Sequence, residues 1–581
     1  VFERGRKYRA SQMPPLVFSP QDASTLYLGT QFVLKTTDGG RCWLEISPDL
    51  TGYGEQEEPE KPDPDKPRPP AITALSPSTV QPGVIWAGTS NRLVQLTRDG
   101  GKSWQNVSPP GLNEPTRIIY VEASHHDPAT AYLTIGAIRE STPPYVARTH
   151  DYGQTWQEIV NGFREHEMVR VVREDPKRKN LLYAGTDTDI YISWDDGDHW
   201  QPFSLNLPAT PITDLQVRDN DLVISTFGRG LWILDDVTPL REINSNITNA
   251  DAHLFAPATA MRVRWENYQD TPYPVETPAG QNPPDGAILD YYLKTPPAGA
   301  VTLTIFDENG AEVVQFSSEA KPSEYLPANV PEYWFAAKDT LSKAAGVNRF
   351  VWNLRYPPPL SLPYGYWGKL LEYTEYTLAD HAVPGLTPHV QPRGPLVLPG
   401  KYTAELRIDG QTLRQPLTVE LDPRVHASRA DLADQLDLAE RISRGMKASS
   451  DAYRQVANLR KALTERTDAM KQSASKETKD AVAAFEKKID AIDKGTVSAP
   501  GFGPVNRDLS RLIFSVESAD MRPADTVQSA AQQNCDALDK NLAHWQQLNE
   551  QDLAAFNAVL AANKQTPLPV LSGIGSTGCK P

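Results

Sequence analysis

Apolar and polar residues alternate in short runs up to residue 236. The runs LVFSP, ITALSP, IIYVEAS and VRVVRED each lead through a turn into a second run, TLYLGT, VIWAGT, AYLTIG or LLYAGT. A third run enters an octapeptide, and a fourth leaves it as LEIS, QNVS, QEIV or QPFS. Period-two alternation, β-branched enrichment and Gly/Pro/Asp punctuation predict four-stranded antiparallel sheets. A fifth unit, ITDLQV, DLVISTFG, LWILDD, has three runs and no octapeptide.

The octapeptides begin at Thr36, Thr97, Thr149 and Ser193 and share the pattern Ser/Thr-x-Asp-x-Gly-x-x-Trp. Their Asp/Trp pairs are Asp38 and Trp43, Asp99 and Trp104, Asp151 and Trp156, and Asp195 and Trp200; the Asp residues lie 61, 52 and 44 apart. A period in this range predicts propeller blades, five of them over residues 16–236. A charged, Pro-rich stretch at 55–70 lengthens the first interval and reads as a loop. In each octapeptide the Asp is expected to accept backbone N–H bonds in a hairpin between strands three and four, with Gly allowing the tight turn and Trp packing between sheets. These residues are expected to be structural.

Past residue 245 the alternation continues without the repeat, through AILDYYLK, AVTLTIFDENGAEVVQF, GVNRFVWNLR and GKYTAELRIDGQTLRQPLTVEL. This predicts an immunoglobulin- or fibronectin-like β-sandwich over 246–424, with turns at Glu308-Asn309-Gly310 and Asp409-Gly410. An aromatic insertion at 356–395 carries Tyr364, Tyr366, Trp367, Tyr373 and Tyr376. Such a platform could stack on sugar rings, or pack the sandwich against the propeller. From 425 to 565 apolar spacing changes to three and four, as at Leu432, Leu436, Ala439 and Ile442. Helices are expected over 428–466, 475–493, 505–518 and 525–562, forming a bundle, with breaks at Pro500, Gly501, Gly503, Pro504 and Pro523. Residues 566–581 read as a flexible tail. The fold class is thus mainly β with an α C-terminal region.

Composition sharpens this outline. The 581 residues include 51 Pro and 36 Gly, and seven of the 12 Trp fall before Asp236, as many short strands joined by turns require. A formal charge of −15 argues against nucleic acid. No apolar run approaches the roughly 18 residues of a membrane span. Three cysteines exclude a disulfide scaffold or a Cys-rich zinc site. Cys535 and Cys579 are the natural pair in an oxidising compartment, leaving Cys42; three free thiols are the alternative. No cofactor or metal is expected. The acidic run Asp195–Asp198 could take calcium but lacks the spacing of a dedicated loop.

The octapeptide resembles the Asp-box, or bacterial neuraminidase (BNR) repeat, of sialidases, xyloglucanases and sortilin-type receptor propellers. The passage from DLVISTFGRGLWILDD into a sandwich and a helical end resembles a large bacterial family labelled glycosyl hydrolase or sortilin-like. That resemblance implies a periplasmic or secreted protein and a chain that is the C-terminal part of a longer precursor, its propeller completed by an upstream fragment or another subunit. It also implies a carbohydrate or protein ligand, bound on the face opposite the Asp-boxes.

In an up-and-down sheet the 2–3 turns and the links between blades share the face opposite the 3–4 turns. The 2–3 turns here hold Thr30-Gln31, Asn91, the 136–145 loop with Arg139 and Glu140, Asp187 with Asp189, and Arg229. Arg229, Arg139, Asn91 and Trp367 are the ligand-binding candidates, because a guanidinium can hold a carboxylate bidentately. The bland alternative for Arg229 is an ion pair with Asp187 or Asp189. Glycoside hydrolysis needs two carboxylates, for which Glu140, Asp187 and Asp189 are weak candidates. A sialidase-like site needs three Arg and a Tyr/Glu pair, and Arg139 and Arg229 are only two candidates. His125-His126-Asp127 aligns with the other 1–2 turns and is expected to be a turn. No nucleophile elbow, HExxH or P-loop occurs, and no G-x-G-x-x-G precedes a helix. The sequence therefore favours a scaffold or assembly role through ligand binding, with a glycoside hydrolase and a sortilin-like peptide receptor as alternatives.

Overall fold

A computed structural model describes residues 8–54, 68–112, 116–136, 143–264, 276, 278, 280, 282–320, 340–360, 362, 393–470, 475–496, 499–571, 573–574 and 577–580. The chain forms two units, 1–242 and 243–581.

The first unit is a row of five antiparallel sheets with sequential strand order. Blade one is β1 (Leu16–Phe18), β2 (Leu26–Gly29), β3 (Val33–Thr36) and β4 (Leu44–Glu45); blade two is β5 (Ile72–Pro77), β6 (Ile85–Thr89), β7 (Val94–Thr97) and β8 (Gln105–Asn106). Blade three is β9 (Arg117–Ala123), β10 (Ala131–Gly136), β11 (Val146–Thr149) and β12 (Gln157–Glu158). Blade four is β13 (Val169–Glu174), β14 (Leu182–Thr186), β15 (Ile190–Ser193) and β16 (Gln201–Pro202). Blade five is β17 (Ile212–Arg218), β18 (Asp221–Thr226) and β19 (Leu231–Leu234), followed by a short helix, α1 (Thr238–Glu242).

Blades stack face to face, so inner strands are buried on both sides; every residue of β6, β10 and β14 is buried. The Gly at or near the end of the second strand in blades one to four follows from this. A Cβ on Gly88 would lie 2.4 Å from Ile118 of the next blade, and one on Gly185 would lie 2.5 Å from Ile212. Among the described residues no hydrogen bond joins blade five to blade one.

The octapeptides form the 3–4 hairpins. Asp99 Oδ1 accepts from Ser103 N at 2.9 Å and Thr97 Oγ1 at 2.9 Å, while Thr97 Oγ1 accepts from Gly101 N at 2.9 Å. Asp38, Asp151 and Asp195 repeat this arrangement. Hydrogen bonds from the Ser103 and Thr155 side chains hold the Asp99 and Asp151 carboxyls down to about 2. The Trp then stitches its blade to the one before. Trp104 Nε1 donates to Ile46 O at 2.9 Å, Trp156 to Val107 O at 2.7 Å and Trp200 to Ile159 O at 2.9 Å. Each acceptor directly follows a fourth strand. Trp43, with no described blade before it, donates instead to Gly40 O of its own turn at 3.0 Å.

The second unit starts with α2 (Ser245–Asn249) and a sandwich of β20 (Ala252–Leu254), β21 (Ala260–Arg262), β22 (Ala287–Leu293), β23 (Thr302–Phe306), β24 (Glu312–Ser317), β25 (Gly346–Trp352), β26 (Gly400–Ile408) and β27 (Gln411–Leu421). One sheet runs β20-β22-β25 and the other β21-β27-β26-β23-β24, and their apolar faces share one core that includes Tyr291, Leu303, Trp352 and Leu406. The turns fall at the predicted residues, with Asp409 and Gly410 both at positive φ.

Four helical stretches follow, close to the predicted ones: α3 (Arg429–Met470), α4 (Lys476–Asp493), α5 (Phe502–Val516) and a last stretch in which α6 (Asp525–Gln547) and α7 (Leu553–Ala562) are joined by a π segment (Leu548–Asp552). Gly503 and Pro504 lie inside the first turn of α5, where proline costs no hydrogen bond. The helices share a core in which Phe485 and Phe556 stack at 4.4 Å. Cys535 and Cys579 are joined by a disulfide, their Cα atoms 5.6 Å apart, and Cys42 is free and exposed. No helix among the described residues is long and apolar enough to cross a membrane.

Candidate functional site

The face opposite the octapeptides is best described at blade four. Its 2–3 turn, 186–190, meets the link that enters β13. Glu167 on that link accepts from Thr186 Oγ1 at 2.6 Å, Thr188 Oγ1 at 2.5 Å and the Tyr191 hydroxyl at 2.6 Å. Burial works to raise this carboxyl, but the three hydroxyls outweigh it and hold it below the usual range. Tyr191 is fully buried under Phe163, and burial followed by the Glu167 contact pushes its phenol well up.

The two Asp candidates are also engaged. Arg170 Nε contacts Asp187 Oδ1 at 2.7 Å, and Arg164 Nη2 contacts Asp189 Oδ2 at 3.0 Å. Neither pairs with Arg229, so the bland sequence reading of Arg229 is not what the geometry gives. Its backbone carbonyl accepts from Trp232 Nε1 at 3.0 Å, and Arg229 is exposed, on the turn that also holds the exposed Phe227. Among the described residues no ion pair includes the Arg229 or the Arg117 guanidinium. Arg117 begins β9, and burial followed by the like charge of Arg170 lowers its pKa.

Asn91 is held within the scaffold. Its Nδ2 donates to Thr51 O at 2.8 Å, tying the 2–3 turn of blade two to the link from blade one. Arg9 braces the same region, reaching Asp49 at 2.7 Å and Gly54 O at 3.0 Å. Arg139, Glu140 and Trp367, with Tyr364, Tyr366, Tyr373 and Tyr376, lie outside the described residues.

On the opposite face, His125-His126-Asp127 forms the turn between β9 and β10, with Asp127 accepting from Ala129 N at 3.1 Å and Thr130 Oγ1 at 2.8 Å. The carboxylates of the acidic run at 195–198 are each engaged by side chains: Asp195 meets His199, Asp196 meets Tyr132, Arg148 and His150, and Asp198 shares Arg148. Among the described residues no group of three or more His, Cys, Asp or Glu is placed to hold a metal.

Sequence reasoning missed Arg164, Glu167, Arg170 and Arg117. Arg164 and Glu167 lie in the link between blades three and four, and Arg117 and Arg170 in the first two residues of the strands that such links enter. Those links share the face with the 2–3 turns, so strand order alone would have put them on it.

No family model and no curated protein matches the chain. Solved structures do: a GH74 enzyme from Niastella koreensis, at 16% identity and TM-score 0.29, over 38% of this chain and 36% of that one. YCF48 from Cyanidioschyzon merolae matches at 16% and 0.27, over 41% and 71%, and a GH74 xyloglucanase from Xanthomonas campestris at 12% and 0.28, over 72% and 70%. The chain thus spans about a third of the first of these. At such scores the likeness carries no argument about chemistry, and the propeller-like row of blades stands on its own strand pairings.

Proposed function

We propose that the protein binds a carboxylate-bearing ligand, an acidic glycan or an acidic protein segment, on the face opposite the octapeptides, and acts as a scaffold or assembly protein. The observation that carries this reading is the distribution of charge there. Asp187, Asp189 and Glu167 are already satisfied by arginines and hydroxyls, whereas the Arg117 and Arg229 guanidiniums have no carboxylate partner among the described residues. A guanidinium without an internal partner suits a carboxylate from outside. The buried disulfide supports an oxidising, periplasmic or secreted setting.

A hydrolase is the second reading, because Tyr191 and Glu167 form the kind of Tyr/Glu pair such a site uses. Burial of Tyr191 and the rise of its pKa argue against a nucleophilic role, since the reactive phenolate is the form that burial disfavours.

The test is to screen the full chain against acidic glycans and acidic peptides and to assay the same glycans for released reducing ends. Binding lost in Arg229→Ala and Arg117→Ala, without turnover, supports the proposal. Turnover that disappears in Glu167→Gln or Asp187→Asn would replace it with the hydrolase, and which panel binds distinguishes glycan from protein.

A further inference from the structure

Blade five differs from the other four in having, among the described residues, no fourth strand, and in having no octapeptide. In blades two to four the tryptophan that starts strand four fills the space between its blade and the one before. Trp200 packs in a cluster with Val146, Ile159, Leu182, Ala184 and Tyr191. One blade further along, a cleft is lined by Ile190, Phe203, Leu222, Ile224 and Trp232. The register makes these the same positions: β15 Ile190 corresponds to β11 Val146, β18 Leu222 and Ile224 to β14 Leu182 and Ala184, and β19 Trp232 to β15 Tyr191.

Phe203 corresponds to Ile159 in the same way. Its N–H donates to Ile190 O at 2.7 Å, as the Ile159 N–H donates to Val146 O at 2.9 Å. The Ile159 carbonyl accepts the indole of Trp200. No described group donates to the Phe203 carbonyl. β19 pairs only with β18 among the described residues, and Leu205, at the rim of the cleft, is 68% exposed.

We propose that this cleft and the outer edge of β19 receive an extended strand from a partner chain, with the pattern Trp-x-x-apolar, that completes blade five. Its tryptophan enters the cleft and donates to the Phe203 carbonyl, and its backbone extends the sheet by strand addition. The internal copies define the pattern: Trp43-Leu44-Glu45-Ile46, Trp104-Gln105-Asn106-Val107, Trp156-Gln157-Glu158-Ile159 and Trp200-Gln201-Pro202-Phe203. A folded second copy does not fit, because each of these strands is already paired within its own blade. The proposal is independent of the carboxylate site.

The test titrates the purified full chain into a fluorescent peptide of residues 154–160, Gln-Thr-Trp-Gln-Glu-Ile-Val. Saturable binding is expected, weakened at least about tenfold both by Trp→Ala in the peptide, which cannot affect folding of the chain, and by Leu205→Asp in the chain, at an exposed position. Absence of saturation, or equal binding of the Ala peptide, overturns the proposal. Self-association of the chain that Leu205→Asp dissolves would give the cleft to an exchanged strand of a second copy and overturn the assignment to a partner.

Discussion

Arg262 donates to Asp520 at 2.7 Å with both side chains only 2% exposed, and this bond joins strand β21 of the sandwich to the turn after helix α5. Arg264 reaches the same carboxylate, and Arg264 and Arg355 both reach Glu517, so two acids hold three arginines. The sandwich and the helices lie within the same compact unit, residues 243–581. Removing one partner of a buried network leaves charge uncompensated, so Asp520→Ala is expected to destabilise this unit by about 3–5 kcal/mol. Denaturant unfolding of the full chain measures this, and a loss below about 1 kcal/mol would mean that water replaces the carboxylate at little cost.

The tryptophan stitch gives a paired prediction. Trp156→Phe keeps the ring but removes the donor to Val107 O, leaving that carbonyl unsatisfied at a cost of about 1–3 kcal/mol. Trp43 bonds within its own turn, so Trp43→Phe should cost less. Equal losses in thermal unfolding would show that ring packing, and not the bond between blades, sets the tryptophan's contribution.

The hairpin carboxylates predict an acid limit. Asp99 and Asp151 fall from an ordinary 3.8 to about 2, chiefly through the Ser103 and Thr155 side-chain hydrogen bonds. A depressed folded pKa stabilises above the unfolded value and is lost as pH falls through the folded one. Near-UV circular dichroism should therefore report loosening of the blades between about pH 4 and 2, and Asp99→Asn should flatten that segment of the profile.

What could be read from the sequence divides along physical lines. The octapeptides and the helical spacing are local and repeat, so the blades, the incomplete fifth blade and all four helical stretches followed from pattern alone. The Arg262–Asp520 bond spans 258 residues and carries no periodic signal. Arg164 and Glu167 lie on a link whose length and composition vary between blades, and Arg170 lies at the start of the strand it enters, which hid their pairing with Asp189, the blade-four hydroxyls and Asp187. The π segment in the last helix was invisible because apolar spacing continues on either side of it.

The last prediction concerns a pH effect near neutrality, from the interface of blades three and four. His125 Nε2 lies 3.4 Å from Glu122 Oε1, and Arg173 Nη1 contacts Glu122 Oε2 at 2.8 Å. Burial opposes the charge on His125, but the Glu122 carboxylate outweighs it and raises the imidazole above its ordinary 6.5. A raised folded pKa gives stability that is fully present below the unfolded value and lost as pH rises through the folded one. Thermal stability should therefore decline from pH 6 towards pH 8 through this residue, and His125→Gln should remove that slope while leaving the acid limb near pH 3 unchanged. A slope that persists in His125→Gln would locate the proton elsewhere and leave His125 as a neutral hydrogen-bonding group beside Thr79, whose Oγ1 is 3.3 Å from Nδ1.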